Sequence, residues 1–233
     1  MLIRLLPFLA LILYALLAMQ FSAWRTKRML AEKSVPLTDP AITRLADRMA
    51  RALEIPEIRV HVLDVEPVNG LAGPDGRIYL TRGFVAKKMQ GEVSPEELAS
   101  VIAHEMGHVA LGHLRRRMID FTGQNAVFLL LAAFMGRILP FVGPWLANAL
   151  SSALMAKLSR RDEFEADAYA TALLIKSGIG TGPQKSLFQK LDALTKSRKG
   201  APAWLLSHPG TADRIAAIEA NEARWTAAPV QPS

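Results

Sequence analysis

The chain contains no cysteine, which excludes disulfides, thiolate metal ligands, a cysteine nucleophile and lipoprotein-type anchoring. It also lacks charge near its start. Between Leu5 and Trp24 there is no charged side chain, and only Pro7, Gln20 and Ser22 interrupt the apolar run. Acids are scarce in the same region, where Glu32 alone stands against Arg4, Arg25, Lys27, Arg28 and Lys33. The whole chain carries a net charge of +7, yet no nucleic-acid-binding motif accompanies it. Basic residues beside apolar runs are instead read as membrane flanks, and no nucleic-acid partner is expected. A small-x-small cleavage site is missing as well, since Phe21 stands two residues before Ala23.

The uncharged run has about the 20 residues that a helix needs to cross a bilayer. Residues 1–25 are therefore expected to form a retained N-terminal transmembrane helix. Of the 233 residues 51% are hydrophobic, and this run and a second stretch, 126–150, hold much of that excess. The expected fold class is mainly α with a small β-sheet (α+β). Asp39 caps a helix from Pro40 to about Leu53, with proline in its first turn. Glu57 to Leu63 alternates like a strand, Gly73-Pro74-Asp75-Gly76 marks a turn, and Arg77 to Thr81 reads as the returning strand. Ser94-Pro95-Glu96-Glu97 opens a central helix through a capping box and is expected to carry it to Leu114. A long helix ends near Gly178, and two shorter ones cover about 183–199 and 212–224. Residues 226–233 read as a loose tail.

His104-Glu105-Met106-Gly107-His108 is the strongest signal in the chain. On a helix, positions i and i+4 lie about 40° apart, so both imidazoles face one ion. Glu105 sits about 100° away, beside the ion rather than on it, where it can take a proton from the attacking water and deliver it to the leaving amine. Zinc suits this donor set, because it binds imidazole and carboxylate tetrahedrally and keeps one position open. Gly107 costs roughly 1 kcal/mol of helix propensity, which a purely structural helix has little reason to accept.

The third ligand comes from Glu163-Phe164-Glu165-Ala166-Asp167. On a helical projection Glu163, Ala166, Asp167 and Ala170 share a small, apolar face that needs a partner for its acids. Glu165 falls on a mixed face with Arg161 that can meet solvent. Glu163 is therefore the expected ligand, and Asp167, one turn on, can orient a ligating histidine. An acidic face paired with Arg160 and Arg161 is the competing explanation. His113 lies about 180° from His104 if the helix is continuous, so it is expected at the surface or at an interface.

These motifs, together with Ser207-His208-Pro209 and Arg214, resemble the HtpX-type membrane zinc metallopeptidases, which include CAAX-prenyl endopeptidases and BepA-like bacterial proteases. Asn69, Gly70, Leu71 and Ala72 resemble that family's substrate-edge strand. The resemblance implies a gluzincin-like domain over 36–225 and endopeptidase activity on membrane or misfolded proteins in quality control. It also places His208 and Arg214 near the metal, as partners of the oxyanion or as a reversible fourth ligand. The chain departs from HtpX-type enzymes proper in having one clear anchor where they have several spans.

If His108 and Glu163 share an ion, the chain between them cannot cross a bilayer an odd number of times. Arg137 would also cost roughly 2.5 kcal/mol at mid-membrane. Residues 126–150 are thus expected to form a re-entrant or interfacial hairpin, with an apolar flap buried on the protein as the alternative. The expected partners are peptide or protein substrates and a lipid bilayer. The expected site is a bacterial inner membrane with the catalytic domain cytoplasmic, the periplasm being the alternative. The competing functional class is a membrane-tethered chaperone or adaptor with a structural zinc site, against which Glu105 argues, since a structural site has no use for a base.

Overall fold

The protein is described by a computed structural model that covers residues 6–113, 143–197, 208 and 211–227. The hairpin expected at 126–150 lies outside the described residues up to position 142, as do 228–233. The elements in chain order are α1 (Leu6–Glu32), β1 (Ser34–Pro36), α2 (Pro40–Ala52), β2 (Val60–Leu63), β3 (Gly70–Ala72), β4 (Ile78–Thr81), α3 (Arg82–Met89), α4 (Pro95–Ala110), α5 (Gly143–Lys176), α6 (Gly182–Ser197) and α7 (Thr211–Ala227). The architecture is mainly helical with one small mixed sheet.

Local chemistry starts the helices where capping rules place them. The Asp39 carboxylate accepts from the backbone N–H groups of Ala41 and Ile42 to open α2. At α4 the Ser94 hydroxyl accepts from Glu97 N–H, and the Glu97 carboxylate accepts from Ser94 N–H, a complete capping box. Glu97 is also reached by Ser186 and Lys190 of α6, which tie that helix to the start of α4. The last helix extends to Ala227, past the expected start of the tail.

The sheet order is β1-β2-β4-β3. The structure shows which strand Arg77 to Thr81 returns along. β4 runs parallel to β2, with Val60 opposite Ile78 and Leu63 opposite Thr81, and returns antiparallel only to β3. The chain from Leu63 to Ile78 is long enough to reverse twice, so the Gly73–Gly76 turn joins β3 to β4 rather than β2 to β4. Gly76 takes a φ of 75°, in the left-handed region that favours glycine. β3 pairs on one side only and forms an edge of the sheet among the described residues.

α4 is the buried axis of the fold: every residue from Glu97 to His108 is buried. It packs on α2 through Ile42, Met49 and Ile102, on α6 through Leu98 and Leu187, and on α5 through Gly107. A Cβ at Gly107 would lie 2.9 Å from both the Cα and the carbonyl oxygen of Ala166. The glycine lets the two helix backbones touch, and that contact sets the depth at which α5 delivers its acids.

The last turn of α1 is fixed by Leu30, buried with Leu63 and Tyr79. Earlier on α1, Leu13, Tyr14, Leu16, Leu17, Phe21 and Trp24 are exposed; the side chains of 6–12 lie outside the described set. Among the described residues no helix is long and apolar enough to cross a membrane.

Candidate metal centre

Four buried side chains from three segments converge beneath β3. α4 supplies His104 and His108, α5 supplies Glu163, and His208 enters from the segment before α7. His104 Nε2 lies 3.1 Å from His108 Nε2, 3.4 Å from a Glu163 oxygen and 3.3 Å from His208 Nδ1. His108 Nε2 lies 3.6 Å from the other Glu163 oxygen. Ligand atoms on a tetrahedral zinc at its usual bond lengths are about 3.3–3.4 Å apart. The donor types and their spacing therefore fit that ion. His208 Nδ1 is also 2.6 Å from Glu163 Oε2, so in this arrangement the imidazole stands among the ligands.

Glu105 is buried at 2% exposure, and its Oε1 has no hydrogen-bond partner among the described residues. His208 Nε2 lies 3.6 Å from it. A buried carboxylate oxygen left unengaged is costly unless a ligand, water or reactant completes it. Gly70 at the start of β3 stands directly above. A Cβ there would come within 2.6 Å of Val101 Cγ1 and 3.7 Å of Glu105 Oε1.

Asp167 accepts two hydrogen bonds from Arg214, from Nε at 2.5 Å and Nη2 at 2.8 Å, and lies 2.9 Å from His104 Nδ1. Burial pushes the Asp167 carboxyl up, but the bonds to Arg214 and His104 outweigh it and hold it below its ordinary value. Burial likewise opposes ionisation of Glu163, and its contacts with His104 and His208 hold it well below the usual carboxylate range. For His104 burial favours the neutral ring, yet the carboxylates of Asp167 and Glu163 prevail and raise it to about 9. The side chains thus store two anions and a proton where a dication fits.

Arg214 is 1% exposed, lies over the Phe188 ring and donates from Nη1 to the His208 carbonyl at 3.0 Å. Nη1 also lies 3.4 Å from Glu163 Oε2, so the guanidinium spans Asp167, the His208 backbone and the ligand cluster.

One residue sits differently from the reading of the sequence. His113 is not at the surface: it is fully buried, with Nδ1 2.8 Å from His108 Nδ1. The projection assumed a helix running to Leu114, but α4 ends at Ala110, and Gly112 at φ 67° turns the chain back under His108. The Leu111-Gly112 pair, a C-cap signal, was the clue. Glu165 does meet solvent and pairs with Arg161 at 2.7 Å, but its other oxygen reaches His113 Nε2 at 3.1 Å. Ser207 and Pro209 lie outside the described residues.

Two histidines one turn apart, a carboxylate from a facing helix and an unengaged acid beside them define a metal centre of the metallopeptidase class. The chain belongs to Peptidase family M48, whose model matches residues 36–222. It is 30% identical to the metalloprotease LoiP of Escherichia coli over 74% of this chain and 66% of that protein. It is 30% identical to the human CAAX prenyl protease 1 homolog over 66% of this chain and 36% of that one. Human mitochondrial metalloendopeptidase OMA1 is 23% identical over 67% of this chain and 30% of its own length. The chain thus spans less than two thirds of the length of each of these curated relatives.

Proposed function

We propose that this protein is a membrane-anchored, zinc-dependent endopeptidase, with His104, His108 and Glu163 on the metal and Glu105 as general base. The observation that carries the reading is the convergence of His104, His108 and Glu163, buried and 3.1 to 3.6 Å apart, with His208 among them and an unengaged Glu105 oxygen beside them. Bound zinc would supply Lewis-acid polarisation of the scissile carbonyl and make a water acidic enough to attack near neutral pH. Glu105 accepts that water's proton and returns it to the leaving amine. Asp167, clamped by Arg214, holds His104 with Nε2 toward the ligand set.

Substrate is placed by β3. Asn69 C=O accepts from Thr81, and Gly73 N–H donates to Arg77. By the alternation of an antiparallel ladder, the backbone groups of Gly70 and Ala72 then face the open edge. An extended peptide added there would lie across Glu105. This supports Asn69, Gly70, Leu71 and Ala72 as the substrate-edge strand.

Of the two roles for His208, the geometry supports the fourth ligand over the oxyanion partner. Its Nδ1 stands within the donor set, and Arg214 holds its backbone there. His208 then occupies the place that water and substrate need, and activity requires its withdrawal.

The anchor reading rests on the uncharged run from Leu5 to Trp24 and on the exposed apolar side chains of α1. The basic cluster after it supports a cytoplasmic catalytic domain, and the resemblance to HtpX-type enzymes supports action on membrane or misfolded proteins. The test is digestion of an unfolded protein such as casein by the purified chain, with and without a zinc chelator. Hydrolysis that stops with chelator and returns with zinc supports the reading. Zinc binding without hydrolysis under any condition supports the tethered chaperone instead, and chelator-insensitive hydrolysis contradicts zinc dependence.

A further inference from the structure

His104 and His108 are oriented by different chemistry. His104 meets a carboxylate directly, through Asp167. His108 does not: its Nδ1 meets another imidazole, that of His113, at 2.8 Å. His108 Nε2 faces His104 and Glu163, so Nε2 is the atom available to a metal. Ligation through Nε2 leaves the proton on Nδ1, which must donate. His113 Nδ1 must then present its lone pair, which places the His113 proton on Nε2. That nitrogen faces Glu165 Oε2 at 3.1 Å, with Asp162 Oδ1 farther off at 3.8 Å. Glu165 Oε1 in turn accepts from Arg161 Nε at 2.7 Å. Every proton in the chain is fixed by its neighbour.

We propose that His113 and Glu165 are positioning residues for metal ligand His108, forming a one-way hydrogen-bonded chain from His108 through His113 to Glu165. The proposal rests on His108 being a ligand, as read above. His113 delivers the orienting effect of a carboxylate across an added imidazole, so the charge of part-exposed Glu165 stays one ring away from buried His108. The alternative use of His113, Asp162 and Glu165, as a second cation site, has ligand atoms close enough. A cation on His113 Nε2 would, however, force the His113 proton onto Nδ1. Two N–H donors would then oppose each other across the 2.8 Å contact with His108. Filling the catalytic centre and filling that cluster are thus mutually opposed.

The test uses the full chain in detergent. Zinc affinity is measured by competition with a fluorescent chelator for wild type, His108→Ala, His113→Leu, His113→Gln and Glu165→Ala, with the melting temperature of each metal-free form recorded. His113→Leu and Glu165→Ala should bind zinc about 10- to 100-fold more weakly, the usual effect of losing a ligand's orienting partner. His113→Gln, whose amide can accept at one end and donate at the other, should recover most of the affinity. The chain has five histidines, so long-range proton–nitrogen NMR of the ring-labelled zinc form can assign each tautomer. His108 should carry its proton on Nδ1 and His113 on Nε2. Zinc affinity in His113→Leu equal to wild type, with an unchanged metal-free melting temperature, would overturn the proposal. So would a His113 proton on Nδ1, or a second zinc equivalent that vanishes in Glu165→Ala. Failure of the underlying zinc reading shows separately, as His108→Ala binding zinc as tightly as wild type.

Discussion

Glu105, Gly107 and His208 each do one thing that a neighbouring residue type could not, and their substitutions separate chemistry from architecture. Gly107 stands where the backbones of α4 and α5 touch, and an added methyl would meet the Ala166 backbone at 2.9 Å. Backbone cannot rotate away as a side chain can, so Gly107→Ala must push α5 outward and carry Glu163 with it. The expected cost is about 1–3 kcal/mol of stability, typical of overpacking, together with weaker zinc binding. A melting curve and a zinc titration that both match wild type would show that the contact is slack. His208→Ala is expected to raise basal peptidase activity while zinc stays bound, because the withdrawn ligand frees a coordination position. A fall in turnover of about a hundredfold with zinc intact would restore the oxyanion role instead.

Much of the centre was legible at the scale of helical elements, because a regular period fixes which residues share a face. His104 with His108, and Glu163 with Asp167, are pairs at i and i+4 on α4 and α5, and the structure brings both pairs to one point. The reading broke down wherever regularity ended. His113 was misplaced because α4 stops at Ala110 and Gly112 reverses the chain, a tertiary outcome that an extrapolated helix hides. The parallel pairing of β2 with β4 escaped for a related reason. β3 is three residues long, too short for alternation to register, so only the family resemblance marks 69–72 as a strand and nothing in the pattern shows which strand β4 pairs with. The facing of α4 and α5 also makes a pH prediction. In the metal-free protein His104 keeps its proton up to about 9, against an ordinary value of 6.5. Zinc must displace that proton, so apparent affinity should rise about tenfold per pH unit from pH 6.5 toward 9. Flat affinity above pH 7 would show an unperturbed His104. By the same linkage, its protonation stabilises the metal-free fold fully below 6.5, and that contribution disappears as pH rises through 9. The depressed values of Asp167 and Glu163 act oppositely, their contribution disappearing in acid.

Among the described residues, the region 36–222 meets α1 through Leu30, which packs with Leu63 and Tyr79. The donor cluster of His104, His108, Glu163 and His208 lies within the former, so removing residues 1–24 should leave zinc affinity unchanged while lowering recovery with lipid vesicles. Loss of zinc binding in that truncation would mean that α1 supports the site. The central claim, a zinc centre with Glu105 as its base, is tested most directly by a paired measurement on Glu105→Gln: bound zinc per chain by elemental analysis, and hydrolysis of an unfolded protein substrate. The account predicts one zinc per chain, as in wild type, with hydrolysis reduced by about a thousandfold, within the usual range for loss of a general base. Hydrolysis at the wild-type rate in a zinc-loaded Glu105→Gln protein would contradict it.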